Sequence, residues 1–455
     1  MRSRSFIQQG IAFGLAALVS GCAVGPTRPD LAAQAVHDTE QVPAWSPQPE
    51  AVPSAYLDDL IRAPELDALV KEALAANPSL QQTLTTLRIT RAQRRQTGAE
   101  RLPSVEGSAS GSREQFGDPA YVSSVTVSWE VDLWGKLSED YQAAEKDVEQ
   151  QQALYRSARD ALAADLMENW LGLIADRHAI EIEQRRLATL EQNADFIMQR
   201  YRNGLGSLED LDSARSSAAS SRASLAGYRE SLAQRQRALR VILGRVGGAE
   251  AIDVPADYPD VIPPLAGLPD QRLQRRPDLQ AAYAAIQAAD LRTSVAYKDL
   301  LPSISLQAAL SDAAAKPSAA LLQDPIWSLL GQLTAPLYRG GQLRAAAEIA
   351  ELQTAQAYQV YRETLLTAVQ EVEDALGQER TLAERQTHVK AALTAARNNL
   401  AQYERSYRAG LVDILDLLSV QQQTYDLEAQ LDNLRYERLA NRVVLGLALG
   451  LGTRA

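Results

Sequence analysis

Along most of the chain apolar residues return every three or four positions, the period of a helix face, whereas in four short stretches they return every second position, the period of a strand. The clearest strand is Tyr121 to Leu133, where Val125, Val127, Trp129, Val131 and Leu133 alternate with Thr126, Ser128, Glu130 and Asp132. A strand sends successive side chains to opposite faces, so this one has an oily side and a wet, partly charged side. The helical pattern is strongest where Leu166, Leu173, Ile180, Leu187, Ala194 and Tyr201 recur every seven residues, with Leu190 and Ile197 between them, a coiled-coil spacing. Leu365, Val369, Val372 and Leu376 make the same face later in the chain. Proline is absent from Ala120 to Val254 and from Leu337 onward, and Gly172 is the only glycine between Lys136 and Asn203. Without those breakers long helices are permitted, and one over 136–202 would rise roughly 100 Å.

The pattern is written twice. Asn77-Pro78 opens a helical run that ends at Leu102-Pro103, and Arg276-Pro277 opens another that ends at Leu301-Pro302, about 199 residues later. Tyr201-Arg-Asn-Gly-Leu205 corresponds to Tyr407-Arg-Ala-Gly-Leu411, and Leu243-Gly244 to Leu449-Gly450, about 206 residues later. The chain therefore reads as a tandem duplication. Repeat 1 covers 61–250: a helix, strands about 104–113 and 120–134, a long helix 136–202 and a helix 207–243. Repeat 2 covers 276–455: a helix, strands about 303–311 and 326–338, a long helix 342–408 and a helix 413–449. Residues 251–275 link the halves and contribute to an equatorial segment, and the proline-rich stretch Pro43 to Pro53 reads as an extended tether within 22–60.

Four strands with an oily outer face cannot stand alone in lipid, because an open sheet edge leaves backbone N–H and C=O groups unpaired at several kcal/mol each. Nor can they close on themselves, since the smallest membrane barrels have about eight strands. A membrane role thus requires several copies. A sheet buried on a soluble helical layer is the competing reading of the same alternation.

Composition narrows the function. Aromatics are only 5%, which favours slender packed helices over a large globular core. The formal charge is −11, and more negative once a leader carrying Arg2 and Arg4 is removed, so nucleic acid is not expected as a partner. Ile11 to Val19 is too short to span a bilayer but suits the core of a signal peptide over 1–21. The single cysteine, Cys22, follows Val-Ser-Gly and resembles a lipobox cysteine, which would be acylated to anchor the chain to a membrane. With one cysteine no intrachain disulfide forms.

Taken in order, Ser20-Gly-Cys-Ala-Val-Gly-Pro26, Glu130-Val-Asp-Leu-Trp-Gly-Lys136, Arg275-Arg-Pro-Asp-Leu279, Leu301-Pro-Ser-Ile-Ser305, Pro336-Leu-Tyr-Arg-Gly-Gly-Gln-Leu343 and Glu371-Val-Glu-Asp-Ala-Leu376 resemble the TolC/OprM-like outer-membrane efflux factors, lipoprotein branch, over nearly the whole mature chain. The resemblance implies a mainly α protomer with a small β membrane part, three copies of which close a twelve-stranded outer-membrane barrel continued by a twelve-helix periplasmic α-barrel. It implies an exit duct of a tripartite efflux pump, joined by a periplasmic adaptor to an inner-membrane RND-type transporter. It also implies no catalytic activity, no metal site and no cofactor beyond the lipid on Cys22.

The long helices turn back at Tyr201 to Asp212 and at Tyr407 to Ser419. Gly204 and Gly410 suit left-handed helix caps, and Ser207 with Asp210, like Asp413 with Asp416, has the spacing of a cap and a first-turn acid. By resemblance these tips receive the adaptor, and the second closes the duct: Asp416 matches a constricting acid, Leu415 an apolar plug, and Arg405, Tyr407 and Arg408 are candidates for links that hold it shut. Ser419 stands where some relatives carry a further acid, which weakens the case for a double acidic ring. An enzyme is disfavoured because His37, His178 and His388 are scattered and Gly107-Ser-Ala-Ser-Gly111 lacks a central nucleophile of the Gly-x-Ser-x-Gly kind. A type I protein secretion duct and a lipid-anchored coiled-coil scaffold are the alternatives. With only Met1, Met167 and Met198 there is no methionine-rich metal path, so small organic compounds are the expected cargo.

Overall fold

The computed structural model describes residues 28–45, 51–247, 252–264 and 273–454; the leader 1–21 and Cys22 lie outside the described residues. The described helices are α1 (Leu31–Glu40), α2 (Pro64–Ala76), α3 (Pro78–Ala99), α4 (Lys136–Arg202), α5 (Leu208–Ile242), α6 (Pro277–Lys298), α7 (Gln342–Arg408) and α8 (Ile414–Ala448), and the strands are β1 (Ser104–Ser112), β2 (Ala120–Val131), β3 (Ser303–Ala314) and β4 (Ile326–Thr334). Each proline-free interval contains one uninterrupted helix of 67 residues, α4 or α7, followed by a helix of 35 residues, α5 or α8. None of the described helices is long and apolar enough to cross a membrane.

The chain divides into two compact units, each of which draws on both repeats. Among the described residues the first unit comprises 28–41, 85–153 and 278–364, and the second 42–45, 51–84, 154–247, 252–264, 273–277 and 365–454. Each repeat contributes its strands and the adjoining helix segments to the first unit and its turned-back helices to the second, so fold units and repeats run in different directions along the chain.

The first unit is built on one antiparallel sheet in the order β1-β2-β3-β4. Its register places Val125 opposite Leu310, Val127 opposite Ala308 and Trp129 opposite Leu306, and then Leu310 opposite Trp327, Ala308 opposite Leu329 and Ile304 opposite Leu333. Directly paired residues share a face. One side of the sheet is thus apolar apart from the Ser123 and Asp312 pair near one end of β2, and Trp327, Leu329 and Leu333 on it are 60–74% exposed. The other side carries Ser108, Ser124, Thr126, Ser128, Ser305, Gln307, Ser328 and Gln332, with Ser108 and Ser124 hydrogen-bonded at 2.8 Å. Tyr121 and Trp129 stand on the apolar side eight residues apart, roughly 26 Å of strand and close to the ~25 Å band of a membrane barrel. The Trp129 indole N–H donates to the Arg101 carbonyl at 3.1 Å, leaving the ring's apolar body outward.

Two strands are shorter than the alternation suggests. β2 stops at Val131 because Asp132 turns to cap α4: its carboxylate accepts from the backbone N–H of Leu137 (3.0 Å) and Ser138 (2.9 Å) and from the Ser138 hydroxyl (2.6 Å). Trp134 points its N–H at the Pro302 carbonyl (2.6 Å) and ties the corner between strand and helix to the second repeat. β4 ends at Thr334, and 335–338 are irregular around Pro336, whereas β3 runs on to Ala314.

The described segments on either side of Pro43 to Pro53 are packed. α1 docks through Tyr358 donating to Asp38 (2.8 Å) and Thr39 meeting the Tyr361 hydroxyl (2.5 Å). In the second unit Leu57 and Leu60 are fully buried against Trp170, Leu166, Leu239 and Val443, so residues after Pro53 belong to the core. Gly172, the lone glycine of α4, leaves room for the Arg235 guanidinium, which reaches Asp176 at 2.7 Å.

Candidate functional site

In the second unit both long helices end in the same device. Gly204 (φ +72°) and Gly410 (φ +73°) occupy the left-handed region, where an L side chain is strained. Around them Gly204 N–H donates to Tyr201 O (3.0 Å) and Leu205 N–H to Arg200 O (2.9 Å), while Gly410 N–H donates to Tyr407 O (2.9 Å) and Leu411 N–H to Ser406 O (2.9 Å). These are Schellman closures, which satisfy the last carbonyls and reverse the chain.

The helices that follow start differently. At the first tip Ser207 and Asp210 form a complete capping box: the Ser207 hydroxyl accepts from Asp210 N–H at 3.0 Å and the Asp210 carboxylate accepts from Ser207 N–H at 3.2 Å. At the second tip Asp413 alone caps, accepting from Leu415 N–H at 3.1 Å. Asp416, the repeat counterpart of Asp210, makes no hydrogen bond or ion pair among the described residues and is exposed, as is Leu415 beside it. Capping therefore uses the first-turn acid at one tip and leaves it free at the other.

Behind the tips, Leu190 and Ile197 of α4, Leu211 and Ala214 of α5, and Ile414 and Leu417 of α8 pack as one apolar cluster with Tyr403 and Tyr407 at its margin. Arg200 donates to the Tyr407 hydroxyl (3.2 Å) and to Leu205 O (3.1 Å), and Phe196 meets the Tyr407 ring edge-on at 6.1 Å. Tyr407 thus joins the two hairpins within one chain. Arg405 bonds only to Gln402 on its own helix (2.8 Å), and Arg408 is exposed with no partner among the described residues. A cleft of about 400 Å³ between the hairpins is lined by Arg200, Asp210, Tyr407, Leu411 and Asp413.

A polar ladder that sequence reading missed runs from the tips along α4 and α8. Its rungs are Asn193 to Gln421 (2.8 Å), Thr189 to Tyr425 (3.0 Å), Arg186 to Asp426 (2.9 Å), Arg185 to Glu428 (2.8 Å) and His178 to Asp432 (2.8 Å). The available signal was the seven-residue spacing of His178 with Arg185 and of Arg186 with Asn193, polar positions inside a coiled-coil pattern. At the last rung both ring nitrogens of His178 face acceptors, Asp432 and, at 2.6 Å, the Ala256 carbonyl. Two acceptors require two N–H donors, so the ring is an imidazolium. Burial opposes that charge, but the Ala256 carbonyl, Asp432 and nearby Glu181 together hold its pKa above the ordinary value. Tyr258 packs edge-on against the ring and donates to the other Asp432 oxygen at 3.1 Å.

Comparison with known proteins decides what these features belong to. The family model for outer membrane efflux proteins matches residues 69–245 and again residues 268–451. The chain belongs to the outer membrane efflux protein family. It is 27% identical to the cation efflux system protein CusC of Escherichia coli, over 85% of this chain and 86% of that protein. It is 28% identical to the probable efflux pump outer membrane protein TtgC of Pseudomonas putida, over 96% and 93%. Among solved structures, the outer-membrane channel OprN superposes with a TM-score of 0.83 at 22% identity, covering 95% of this chain and 99% of that one. The open-state MtrE channel of Neisseria gonorrhoeae superposes at 0.81 with 24% identity, over 90% and 96%. The chain therefore has the tandem-repeat protomer fold of the outer-membrane channels, and it serves as an efflux exit duct in the outer membrane. The family is one of channels rather than enzymes.

Proposed function

We propose that three copies of this chain close the barrel, that a periplasmic adaptor seats on the tips around Gly204, Ser207, Asp210, Gly410 and Asp413, and that the assembly carries small organic compounds from an inner-membrane RND-type transporter to the exterior. The observation that carries the reading is the sheet: one face mainly apolar from Val125 to Trp129 and across β3 and β4, the other rich in serine, and two edge strands, β1 and β4, each paired on one side only among the described residues. Such edges need partner strands in lipid, and copies of the same sheet supply them. Relatives named for cation and for toluene efflux share the fold, so the duct passes what its pump delivers. The near absence of methionine here and the match to TtgC along most of the chain favour organic cargo.

The lipid anchor on Cys22 fits the position of the nearest described residue. Arg28 pairs with Asp290 at 3.6 Å and lies over the Tyr297 ring at 5.4 Å, six residues before β3 begins. The chain from 22 to 28 spans at most roughly 20 Å, so an acyl group there reaches the leaflet beside the sheet base. No other cofactor is required.

Resting closure is assigned to Asp416 and Leu415, with Arg405, Tyr407 and Arg408 as links. Its support is the contrast between Asp210, spent on a capping box, and Asp416, which is free for neighbouring copies. Asp416→Ala is expected to raise the resting conductance of the reconstituted protein in planar bilayers and to lower its preference for cations; an unchanged closed state in an intact trimer rejects the gate assignment.

A further inference from the structure

The charge of the chain is unevenly spread. From Arg88 to Arg101 there are five arginines against one acid, Glu100, a net +4 in a protein whose formal charge is −11. The helix dipole does not account for them, because it favours cations in the last turn and the last turn of α3 holds no basic residue. Nor does the duplication: with Pro78 aligned to Pro277, the counterparts around α6 are Gln287, Asp290, Thr293, Ser294 and Leu300. Arg94 is half-buried beside Glu145 at 3.7 Å. Arg88, Arg91, Arg95 and Arg101 are exposed, and none of their side chains has a carboxylate or hydrogen-bond partner among the described residues.

We infer that this patch binds the phosphate of an anionic phospholipid in the periplasm-facing leaflet of the outer membrane. The inference rests on the membrane reading of the sheet proposed above. Trp129, on the apolar side of β2, donates to the Arg101 carbonyl at 3.1 Å, so Arg101 lies at the level of the aromatic girdle that marks the membrane boundary. Its guanidinium stands 5.1 Å from the centre of the Tyr141 ring, which orients the charge without neutralising it. Next along the chain Leu102 and Val105 are exposed, and Val105 pairs with Val127, so an acyl chain has an apolar wall to follow. Asp290, the counterpart of Arg91, meets Arg28 of the N-terminal segment, which leads back to the anchor proposed at Cys22 and therefore runs on the outer wall. Arg91 faces outward in the same way, with Arg88 and Arg95 one turn to either side. In the second repeat this outer face is taken by α1, packed on Tyr358 and Tyr361, whereas in the first repeat the arginines remain exposed.

Depth sorts the four arginines. At 1.5 Å of rise per residue, Arg95, Arg91 and Arg88 lie roughly 9, 15 and 20 Å further from the sheet than Arg101. A headgroup layer is about 5–8 Å deep and the Debye length about 8 Å, so Arg101 sits in the layer, Arg95 snorkels into it, Arg91 stands at its margin and Arg88 is beyond its field.

Native mass spectrometry of the full-length protein, released from nanodiscs holding equal parts of phosphatidylglycerol and phosphatidylcholine with the same acyl chains, tests this. A basic residue at an anionic surface contributes about fivefold in affinity, so two of them should favour retained phosphatidylglycerol by about 25-fold. Arg101→Gln and Arg95→Gln should each lower that preference about fivefold, and Arg88→Gln by less than about twofold. The Trp129 bond is to backbone and survives in Arg101→Gln, and the trimer mass in the same spectrum reports assembly. Equal retention of the two lipids by an assembled trimer, or a loss from Arg88→Gln as large as that from Arg101→Gln, would overturn the site. Cosedimentation with purified cell-wall sacculi that is abolished by Arg88→Gln and indifferent to Arg101→Gln would give the patch to the cell wall and overturn it too. A wild-type protein that neither assembles nor conducts in planar bilayers would sink the membrane reading, and the lipid site with it.

Discussion

Raising the pH should loosen the segment that joins the two repeats around Ala256, where the imidazolium of His178 is one of its links beside Arg177 at Val254 and Arg442 at Val261. The ring donates one N–H to Asp432 and the other to the carbonyl of Ala256, and its side chain is only 16% exposed. A neutral ring has one N–H, so deprotonation removes one of the two bonds and leaves an acceptor facing a lone pair. Hydrogen bonds to charged groups contribute about 1.5–3 kcal/mol, and partial access of water places the loss near the lower figure. That is roughly a tenfold rise in local opening. The sign follows from the raised pKa: the stabilisation is complete below the ordinary histidine value of about 6.5 and is lost as pH climbs through the higher folded value. Other groups facing the ring from α4, α7, α8 and the linker are Glu181, Arg185, Arg397, Glu428, Arg435 and Tyr258. Burial and Asp432 push the Tyr258 phenol further up, so it stays protonated throughout this window. Glu168, in the same unit, is raised to about 7 by burial and by Asp165, so it also titrates in this range and must be controlled for with Glu168→Gln. Hydrogen exchange read by mass spectrometry at pH 6 and pH 9, corrected for intrinsic rates, should show residues 252–264 opening more readily at the higher pH. In His178→Gln they should open readily at both. If the wild-type linker is equally protected at both values, or if His178→Gln keeps the full pH dependence, the two-donor assignment is wrong.

The remaining expectations concern single contacts. Glu379 has a side chain 5% exposed and holds both Arg438 (3.0 Å) and Arg442 (3.0 Å), so Glu379→Ala leaves the buried Arg442 charge unneutralised, with the Val261 carbonyl as its remaining partner, and should cost about 3 kcal/mol in chemical denaturation followed in detergent. A loss below about 1 kcal/mol would mean the arginines find other partners. Gly410→Ala forces an L side chain to φ +73° and should destabilise the second tip by about 1 kcal/mol, seen as faster exchange of 405–415 with the sheet unaffected. Applying the repeat offsets to the Val127 and Ala308 pair of β2 and β3 places Leu333 beside Ala109 of the next copy. Leu333→Cys with Ala109→Cys should therefore link copies, and preferential linking of Leu333→Cys with Gly107→Cys instead would contradict that register.

The sheet was legible in sequence because alternation is a period-two signal and each strand has one face against lipid, so Val125 to Val131 and Ile304 to Leu310 read directly. The ends of strands were less so. Asp132 keeps the alternation going in sequence yet is drawn out of the strand by three hydrogen bonds to the start of α4, which no local pattern reveals. The long helices follow from the absence of proline, but the heptad reading named Leu187 and Tyr201 alongside Leu166 and Leu173, and only the latter two are buried. An ideal helix drifts relative to a strict heptad, so the buried line shifts to Leu190 and Ile197 toward the tip. Leu57, Leu60 and Ile61, just after the proline-rich stretch, carry no periodic signal of their own, and their burial depends on helices more than a hundred residues away. At the candidate gate, sequence placed Asp413 and Asp416 in the same relation as Ser207 and Asp210 but could not show that only Asp210 spends its carboxylate on a cap. The polar ladder left only the seven-residue spacing of His178 with Arg185 and of Arg186 with Asn193 in the sequence, and the partners on α8 are a tertiary fact.

The central claim is that the four-stranded sheet lies in lipid on one face and lines water on the other. Nitroxide labels placed singly from Ser124 to Glu130 in vesicle-reconstituted protein report this directly through relaxation by oxygen, which concentrates in lipid, and by a water-soluble nickel chelate. Oxygen accessibility should peak at Val125, Val127 and Trp129, with the chelate reaching Ser124, Thr126, Ser128 and Glu130. Accessibility to both reagents that does not alternate, or protection from oxygen at all seven positions, would contradict a membrane barrel.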